Sequence, residues 1–257
     1  MINKEEITRN WLKRYTGTQP EDFGEWILIT NFQNYVDKFA EKFGVEVKGR
    51  GGAMTSATNN DGLSIINYGM GSANAATIMD LISSISPKGV LFLGKCGGLK
   101  RSTELGHFIL PIAAIRGEGT SDDYFPKEVP AMPSFKLHKY VSQLLVEHEL
   151  DYRTGVIYTT NRRVWEHDEE FKVYLRKVRA IGIDMETATI FITGFANGID
   201  RGALLLVSDT PMTPDGVKTE ESDKEVTRKY VDLHLEMGIE VMTRIGEEGE
   251  KIKHFTY

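Results

Sequence analysis

The sequence predicts an α/β fold in which a mixed central sheet lies between two layers of helices. Three short apolar runs at 26–30, 89–93 and 203–207 are typical of strands buried on both faces. They alternate along the chain with segments of helical periodicity, which favours one α/β sheet. Two further predicted strands, at 108–115 and 154–158, lack simple crossover helices. We therefore expect a mixed sheet and not a wholly parallel one.

The helices are predicted from apolar periodicity and from residues that favour helix ends. Ile7, Trp11 and Leu12 recur at helical spacing and predict the first helix. Gly44 predicts the end of the second helix, because glycine readily adopts the left-handed conformation that ends a helix. In chain order the predicted helices span 4–15, 33–43, 74–84, 135–149, 168–177, 186–197 and 223–246, and one further strand spans 64–68.

Length, composition and charge exclude several classes of protein. The 257 residues suffice to bury a sizeable core, and no linker, repeat or low-complexity stretch divides them, so we expect one domain over 1–257. The net charge of −6 disfavours a nucleic-acid surface, which needs a basic face. No signal-peptide pattern is found, and no apolar run approaches the roughly 20 residues of a membrane span. We expect a cytoplasmic protein with no nucleic-acid or membrane partner.

The cysteine and histidine content predicts neither disulfides nor a metal site. Cys96 is the single cysteine, which suits a reducing compartment. Among glycines, Cys96 is more typical of a small buried residue than of a nucleophile. The six histidines show no ligand spacing, so we expect no metal and no cofactor.

Ligand-binding residues are expected where the predicted strands end, because open α/β sheets bind ligands at the carboxyl ends of their strands. Four such ends carry unusual sequence, at 69–74, 94–98, 184–186 and 208–211. Glycines in the first two allow the backbone to approach a ligand closely. Either glycine turn taken singly is explained more simply by the steric needs of a strand-to-helix turn.

Three carboxylates at these strand ends suit acid–base chemistry or ligand binding. Asp209 directly follows an apolar strand, where desolvation raises the pKa of a carboxyl group. Asp184 and Glu186 flank Met185, and in an extended backbone both side chains would point the same way. The alternative for each is helix-start chemistry, since acidic residues favour N-caps and first turns.

Taken together and in this order, the motifs resemble the nucleoside phosphorylase/nucleosidase superfamily over about residues 26–246. The resemblance rests on Gly69-Met70-Gly71, the segment 94–98, Asp184-Met185-Glu186 and Ser208-Asp209. Each motif is modest alone, but the ordered set is specific. The resemblance implies a three-layer α/β/α fold with a mixed central sheet, like that of purine and uridine phosphorylases.

Within the superfamily, the segments 93–99, 159–166, 183–189 and 207–209 are similar to the catalytic domain of AMP nucleosidases. This similarity implies hydrolysis of the N-glycosidic bond of AMP to adenine and ribose 5-phosphate. Longer bacterial members carry an additional N-terminal domain, and we expect this chain to be the catalytic domain alone.

Departures from the phosphorylases favour the same subtype. Phosphorylases of this kind usually have an arginine where Phe92 stands and a serine or threonine where Lys95 stands. They also carry a Gly-Asp turn with an arginine where this chain has 30–33. The loss of several ligands for inorganic phosphate is hard to reconcile with phosphorolysis.

The resemblance also implies roles for individual residues. Glu186 would accept hydrogen bonds from ribose hydroxyls, with Met185 packing under the sugar, and Asp209 would protonate the purine's imidazole-ring nitrogen as the bond breaks. The candidate ligands of the 5′-phosphate are Arg116, Lys95 and Lys218, and the alternative for each is a solvated surface charge. No motif identifies the residue that activates water, and the candidates are Asn31 and Glu118. Further predicted substrate-binding residues are Gly71, Ser72, Cys96, Gly97, Thr159, Thr160, Trp165, Asp184 and Ser208.

Two other functions remain open on this sequence. A purine nucleoside phosphorylase with a phosphate site rebuilt from Lys95 and Arg116 would depend on phosphate and release ribose 1-phosphate. A non-catalytic nucleotide sensor on the same fold would bind tightly without turnover. The superfamily usually forms hexamers or dimers with binding sites near subunit contacts, so we also expect a homo-oligomer.

Overall fold

The computed structural model describes residues 3–248, and this part of the chain forms eight strands and seven α-helices. The strands are β1 (Trp26–Thr30), β2 (Thr55–Thr58), β3 (Leu63–Asn67), β4 (Gly89–Gly98), β5 (Phe108–Gly117), β6 (Tyr152–Thr160), β7 (Gly182–Asp184) and β8 (Arg201–Asp209). The helices are α1 (Lys4–Thr16), α2 (Gln33–Phe43), α3 (Ser72–Ser83), α4 (Phe135–Glu147), α5 (Glu169–Lys177), α6 (Thr187–Ala196) and α7 (Glu220–Glu248).

The strands form one mixed sheet, which confirms the predicted fold class. Their order is β2-β3-β1-β4-β7-β6-β5-β8. β8 also pairs with β4 in parallel, so β4, β7, β6, β5 and β8 close into a ring that the sequence did not predict. β1 and β3 extend the sheet from β4 by parallel pairing, and β2 is an antiparallel edge strand.

Two hydrophobic cores cover opposite faces of the sheet. Because side chains alternate along a strand, Leu28 joins the core formed with α2, α4 and α7, whereas Ile27 and Ile29 join the core formed with α1, α3 and α6. All three of these β1 side chains are fully buried. Helices therefore lie on both sides of the sheet, as the three-layer prediction expects.

The residues after Leu93 continue as a strand, so the prediction that the chain turns at 94–98 is wrong. β4 pairs with β8 from Val90 to Gly97, with a bulge between Cys96 and Gly97, while on its other edge β1 gives way to β7, which pairs with Gly97 and Gly98. A Cβ atom on Gly97 would lie 2.9 Å from Cγ of Pro211. The close approach of two strand ends therefore requires glycine at this position.

The edge strand β2 was not predicted, because it has no alternating apolar pattern. It is held instead by hydroxyl groups: Thr58 Oγ1 lies 2.8 Å from Ser64 Oγ, and the Thr55 hydroxyl donates to Gln33 Oε1 at 2.6 Å. Polar side chains suit an edge strand, since they discourage pairing with another chain.

The predicted helices are all present, with ends that differ by at most three residues. The largest difference is at α7, which begins at Glu220 and not at 223. Within residues 3–248, no helix combines the length and the apolar character that crossing a membrane requires.

Candidate active site

A cavity of about 320 Å³ opens where the strands end. Its lining comes from the carboxyl ends of β4, β6, β7 and β8 and from the segments that follow β1 and β3. This volume lies at the low end of the roughly 300–1,000 Å³ typical of small-molecule sites. The predicted residues that line it are Asn31, Lys95, Cys96, Gly97, Thr160, Trp165, Asp184, Met185, Glu186, Ser208, Asp209 and Lys218.

Asp184 uses its carboxylate to anchor the start of α6. It accepts hydrogen bonds from the Thr159 hydroxyl at 2.7 Å, and from the Thr187 hydroxyl at 2.6 Å and N–H at 2.8 Å. Glu186 is already the N-cap of α6, with φ −136° and ψ −35°, so the backbone is not extended. The extended backbone assumed for this segment is therefore absent, although both carboxyl groups line the cavity. Asp184 fixes the turn that carries Met185 and Glu186.

The carboxyl group of Glu186 faces the cavity, although the residue is only 2% exposed. It accepts hydrogen bonds from the N–H of Gly71 at 2.7 Å and from the N–H of Met185 at 3.2 Å. Burial, together with the nearby Asp184 carboxylate, raises the pKa of Glu186 to about 8. The group can therefore exist in either protonation state near neutral pH and can hydrogen-bond to hydroxyl groups.

Asn31 lies beside Glu186 in the cavity lining, and we call these two residues the polar corner of the cavity. Its side-chain amide donates to Glu186 at 3.4 Å, while its buried Oδ1 has no hydrogen-bond donor among residues 3–248. A buried acceptor without a donor is rare in native proteins and indicates a place where water or a ligand donates. Glu118, the other residue predicted to activate water, does not line the cavity; it accepts from the Ser121 N–H instead.

The glycine turn between β3 and α3 donates hydrogen bonds to Met185 and Glu186. Gly71 has a φ of +94°, a conformation that favours glycine, and this turn presents its N–H to Glu186. The Ser72 hydroxyl donates to the carbonyl of Met185 at 2.6 Å. Gly71 and Ser72 thus act on the site through Met185 and Glu186, while Met70 between the glycines lines the cavity itself.

Asp209, the last residue of β8, provides a second carboxyl group in the cavity. Its Oδ1 accepts a hydrogen bond from the Ser208 hydroxyl at 2.7 Å. Burial raises the pKa of Asp209, although Ser208, Lys218 and Arg163 oppose the shift. A turn follows, and the next helical residue is Pro214, so Asp209 is not a helix N-cap. A raised pKa shifts Asp209 towards its protonated form, as a proton donor requires.

The loop after β6 forms a wall beside Asp209. Trp165 is 4% exposed and packs edge-on against Phe171, with 5.4 Å between the ring centres. Arg163 and Glu166 form an ion pair at 3.5 Å and also line the cavity. The loop therefore brings an indole ring and charged groups together in the cavity lining, a combination suited to a planar heterocycle.

Lys95 and Lys218, two of the predicted phosphate ligands, both lie in the cavity lining. Each is paired with the carboxylate of Asp223, at 3.0 Å and 2.8 Å respectively. Burial lowers the pKa of Lys95, and the Asp223 carboxylate opposes the shift. The two lysines come together as predicted, but with a counter-charge that the sequence did not reveal.

The structure does not bring Arg116, the third predicted phosphate ligand, to this cavity. Its guanidinium group donates to the Ser121 hydroxyl at 2.9 Å and to the carbonyl of Phe125 at 2.7 Å, and it forms an ion pair with Asp122 at 3.1 Å. These contacts hold the loop that follows β5, and they leave the side chain only 5% exposed. We therefore do not include Arg116 in the phosphate site.

Among the described residues, neither Cys96 nor the acidic and histidine side chains indicate a nucleophile or a metal site. Burial raises the pKa of the Cys96 thiol, which disfavours the thiolate that a nucleophile needs. In the described part of the chain, no group of three or more histidine, cysteine or acidic residues is arranged to hold a metal ion.

Sequence reasoning missed several residues that line the cavity. Arg162, Arg163 and Glu166 lie in the segment 159–166 that carries the resemblance, beside the predicted Thr160 and Trp165, so a signal was present. Met70 and Ile183 also lie in segments that carry the resemblance, but as apolar residues they were not singled out. Phe32 is apolar and Asp223 is far from the strand ends in sequence, and no local motif marks either of them. The missed lining residues are Phe32, Met70, Arg162, Arg163, Glu166, Ile183 and Asp223.

The sequence and the structure of this chain are similar to those of known AMP nucleosidases. The chain is 27% identical to the AMP nucleosidase of Escherichia coli (strain K12) over 287 residues, a match that covers 94% of this chain and 59% of that protein. The chain thus spans less than two thirds of the length of this relative. Its structure is similar to the crystal structure of AMP nucleosidase from Bacteroides thetaiotaomicron VPI-5482, with 50% identity, a TM-score of 0.87, and coverage of 96% of this chain and 100% of that one.

A more distant structure shares the fold. Uridine phosphorylase from Vibrio fischeri ES114 is 20% identical, with a TM-score of 0.79 and coverage of 93% of this chain and 99% of that one. The sequence model of the phosphorylase superfamily matches residues 26–241. This range includes the strands of the closed ring and the carboxyl groups of Asp184, Glu186 and Asp209. The chain therefore belongs to the phosphorylase superfamily.

Proposed function

We propose that this chain hydrolyses the N-glycosidic bond of AMP and releases adenine and ribose 5-phosphate. The observation that carries the proposal is the Asp209 carboxyl group, whose pKa is raised by burial in the cavity that also holds Glu186. Similarity to the AMP nucleosidases of Escherichia coli and Bacteroides thetaiotaomicron supports the choice of AMP as substrate.

Asp209 is the proposed general acid. An N-glycosidic bond breaks through an oxocarbenium-like state, and a purine leaves more readily when its imidazole ring is protonated. Asp209 would donate its proton to that ring as the bond to the anomeric carbon stretches, so that adenine leaves as a neutral molecule. The Ser208 hydroxyl and Lys218 both stabilise the carboxylate that remains, since both lower the pKa of Asp209.

Glu186 and Asn31 are proposed to bind the sugar and the attacking water. Glu186 would accept hydrogen bonds from ribose hydroxyls, with Met185 packing beneath the ring. The free Oδ1 of Asn31 would accept a hydrogen bond from water beside Glu186. The water oxygen bonds to the anomeric carbon as the bond to adenine breaks, and its released proton restores the acid.

One feature supports hydrolysis over phosphorolysis. Phe92, which stands where phosphorylases usually have an arginine, is completely buried near Tyr68 and does not line the cavity, so this position supplies no ligand for inorganic phosphate. We assign Lys95 and Lys218 to the 5′-phosphate of the nucleotide.

Chromatography of the reaction products tests the proposal. Purified protein is incubated with AMP or adenosine, each with and without inorganic phosphate. We expect adenine and ribose 5-phosphate from AMP in the absence of phosphate. Cleavage that requires phosphate and yields a sugar 1-phosphate would identify a phosphorylase, and tight binding of AMP without cleavage would identify a sensor.

We also propose that the chain is a cytoplasmic homo-oligomer, a hexamer or a dimer. Large apolar side chains are exposed close to the cavity, among them Val164 at 69% and Met70 at 58%. Exposed apolar surface of this kind often marks an interface between protein chains. Light scattering on the same purified sample measures the assembly, and a monomer would contradict this part of the proposal.

A further inference from the structure

Two lysines in the cavity lining share one carboxylate. The Nζ atoms of Lys95 and Lys218 lie 3.0 Å and 2.8 Å from the same oxygen, Oδ1 of Asp223. The three residues come from different elements: β4, the segment after β8, and α7. Two positive charges therefore converge on a single negative charge, and the triad as a whole is cationic.

The members of this triad differ in how freely they can move. The side chain of Lys95 is 4% exposed, donates to the Thr227 hydroxyl at 2.9 Å, and places its Nζ 4.7 Å from the centre of the Phe32 ring. The side chain of Asp223 is 39% exposed, and it belongs to the first turns of α7. Lys95 is thus held in place, whereas the carboxylate of Asp223 can rotate into solvent.

We propose that Lys95 and Lys218 form a subsite for a phosphate dianion, and that Asp223 is its internal occupant, which the phosphate of a ligand replaces. This inference rests on the proposed cleavage of AMP, whose 5′-phosphate is the group assigned to the subsite. A phosphate carries up to two negative charges and three acceptor oxygens, so it can bridge two ammonium groups more strongly than one carboxylate does.

The exchange makes Asp223 a specificity-determining residue. A buried lysine requires an anion nearby, because an unpaired charge is poorly tolerated in a site of low dielectric. Asp223 supplies that anion while the subsite is empty. A neutral nucleoside offers nothing to replace it, whereas a nucleotide does, so the triad favours ligands that carry a phosphate.

Burial raises the pKa values of three other carboxyl groups of the cavity, Asp184, Glu186 and Asp209, and this reduces the repulsion that they offer to a second anion at a given pH. Arg163 adds a positive charge to the lining, partly balanced by its ion pair with Glu166. The lining is therefore compatible with a dianion at Lys95 and Lys218.

Calorimetric titration with ribose 5-phosphate and with inorganic phosphate tests the inference. Neither probe contains the glycosidic bond, so binding is measured without turnover, and the result stands even if the protein fails to cleave AMP. The proteins compared are the native chain, Asp223→Asn and Asp232→Asn. Asp232 is a matched control, because it lies on α7 and pairs with Lys38 at 2.6 Å, but it does not line the cavity.

We expect Asp223→Asn to bind ribose 5-phosphate on the order of tenfold more tightly than the native chain, the ratio that one hydrogen bond to a charged group provides. Asp232→Asn should bind as the native chain does. A gain larger for ribose 5-phosphate than for inorganic phosphate assigns the subsite to the 5′-phosphate. An equal gain, or a gain for inorganic phosphate alone, supports the dianion subsite and assigns it to free phosphate.

Unchanged or weaker binding of both probes to Asp223→Asn would overturn the inference, because Asp223 would then orient the lysines without competing with a ligand. Lys218→Met provides a second measure, since its side chain is 21% exposed and its removal disturbs the core little. Both anions should bind more weakly to it. Undiminished binding to Lys218→Met would contradict a subsite built from two lysines.

Discussion

Asp184 and Asp209 have the same type of side chain, but their surroundings give them different roles. Both lie at strand ends in the cavity lining, and burial raises the pKa values of both. Asp184, however, receives hydrogen bonds from Thr159 and Thr187 and holds the start of a helix. Asp209 begins no helix and accepts from Ser208. Of the two carboxyl groups, Asp209 is the one available to a ligand.

Replacement of Asp209 by asparagine tests its role as the acid. The amide keeps the shape of the side chain but has no acidic proton, so kcat for adenine release should fall by about 100- to 10,000-fold while AMP affinity changes little. Release is measured by chromatography, with the exposed Asp215→Asn as control. In the native chain, kcat should decline as pH rises through the raised pKa of Asp209. Near-normal turnover by Asp209→Asn would exclude it as the acid.

At the residue scale, the sequence could predict those site residues that stand beside a recognisable strand. Asp209 follows the most apolar strand of the chain, and Glu186 follows the short strand β7 and begins an apolar helix, so both positions were identified. Asp223 lies in a polar helix start and meets Lys95 across 128 positions of sequence. Periodicity is a local property, and no local pattern can report a contact of that separation.

At the scale of elements, strand β4 lies in the middle of the sheet and its end lines the cavity. Its first half lies between β1 and β8, and its end lies between β7 and β8. The bulge between Cys96 and Gly97 lies where β7 replaces β1, and the end of β4 there approaches Pro211 in the turn that follows Asp209. The predicted turn at 94–98 was wrong because glycines permit a bulge as readily as a turn.

Replacement of Gly97 by alanine tests this junction. The new Cβ would meet Pro211 at 2.9 Å and Ile183 at 3.2 Å, so the turn after Asp209 must shift. We expect a loss of about 1–3 kcal/mol in the free energy of unfolding, together with a lower kcat/KM, measured by thermal melting and adenine release. Gly202→Ala is the control, since it adds a Cβ to β8 opposite Leu91, with 3.3 Å to its nearest neighbour. Unimpaired activity in Gly97→Ala would show that the turn does not depend on this contact.

At the scale of the whole molecule, closure of the five-stranded ring determines where the site lies. Val90 pairs with Arg201, and Ile109 pairs with Leu205, so β8 closes the ring between β4 and β5. The sequence could predict the strands and the mixed sheet, because apolar runs and periodicity are local. It could not predict ring closure, because such pairing depends on segments far apart in the chain. The cavity is therefore lined by residues that are far apart in the chain, from Asn31 to Asp223.

The buried carboxyl group of Glu186 should impose a pH dependence on the stability of the whole fold. Burial beside Asp184 raises its pKa from the ordinary 4.5 to about 8. Between these two pH values the folded chain holds a proton that the unfolded chain releases, so the free energy of unfolding falls as pH rises across this interval. Above pH 8 the loss is complete, since both states are then ionised.

Glu186→Gln removes that titration, and its effect should therefore grow with pH. At pH 5 the glutamine resembles the protonated native side chain, and the two melting temperatures should be similar. At pH 9 the native chain holds a buried carboxylate near Asp184, so the variant should melt higher, by on the order of 5 °C. Melting is measured at one protein concentration, because assembly alters apparent stability. The exposed Glu225→Gln serves as control and should show no such gain. If Glu186→Gln gained no stability between pH 5 and pH 9, the carboxyl group of Glu186 would be ionised in the folded chain throughout this range, held by the N–H groups of Gly71 and Met185.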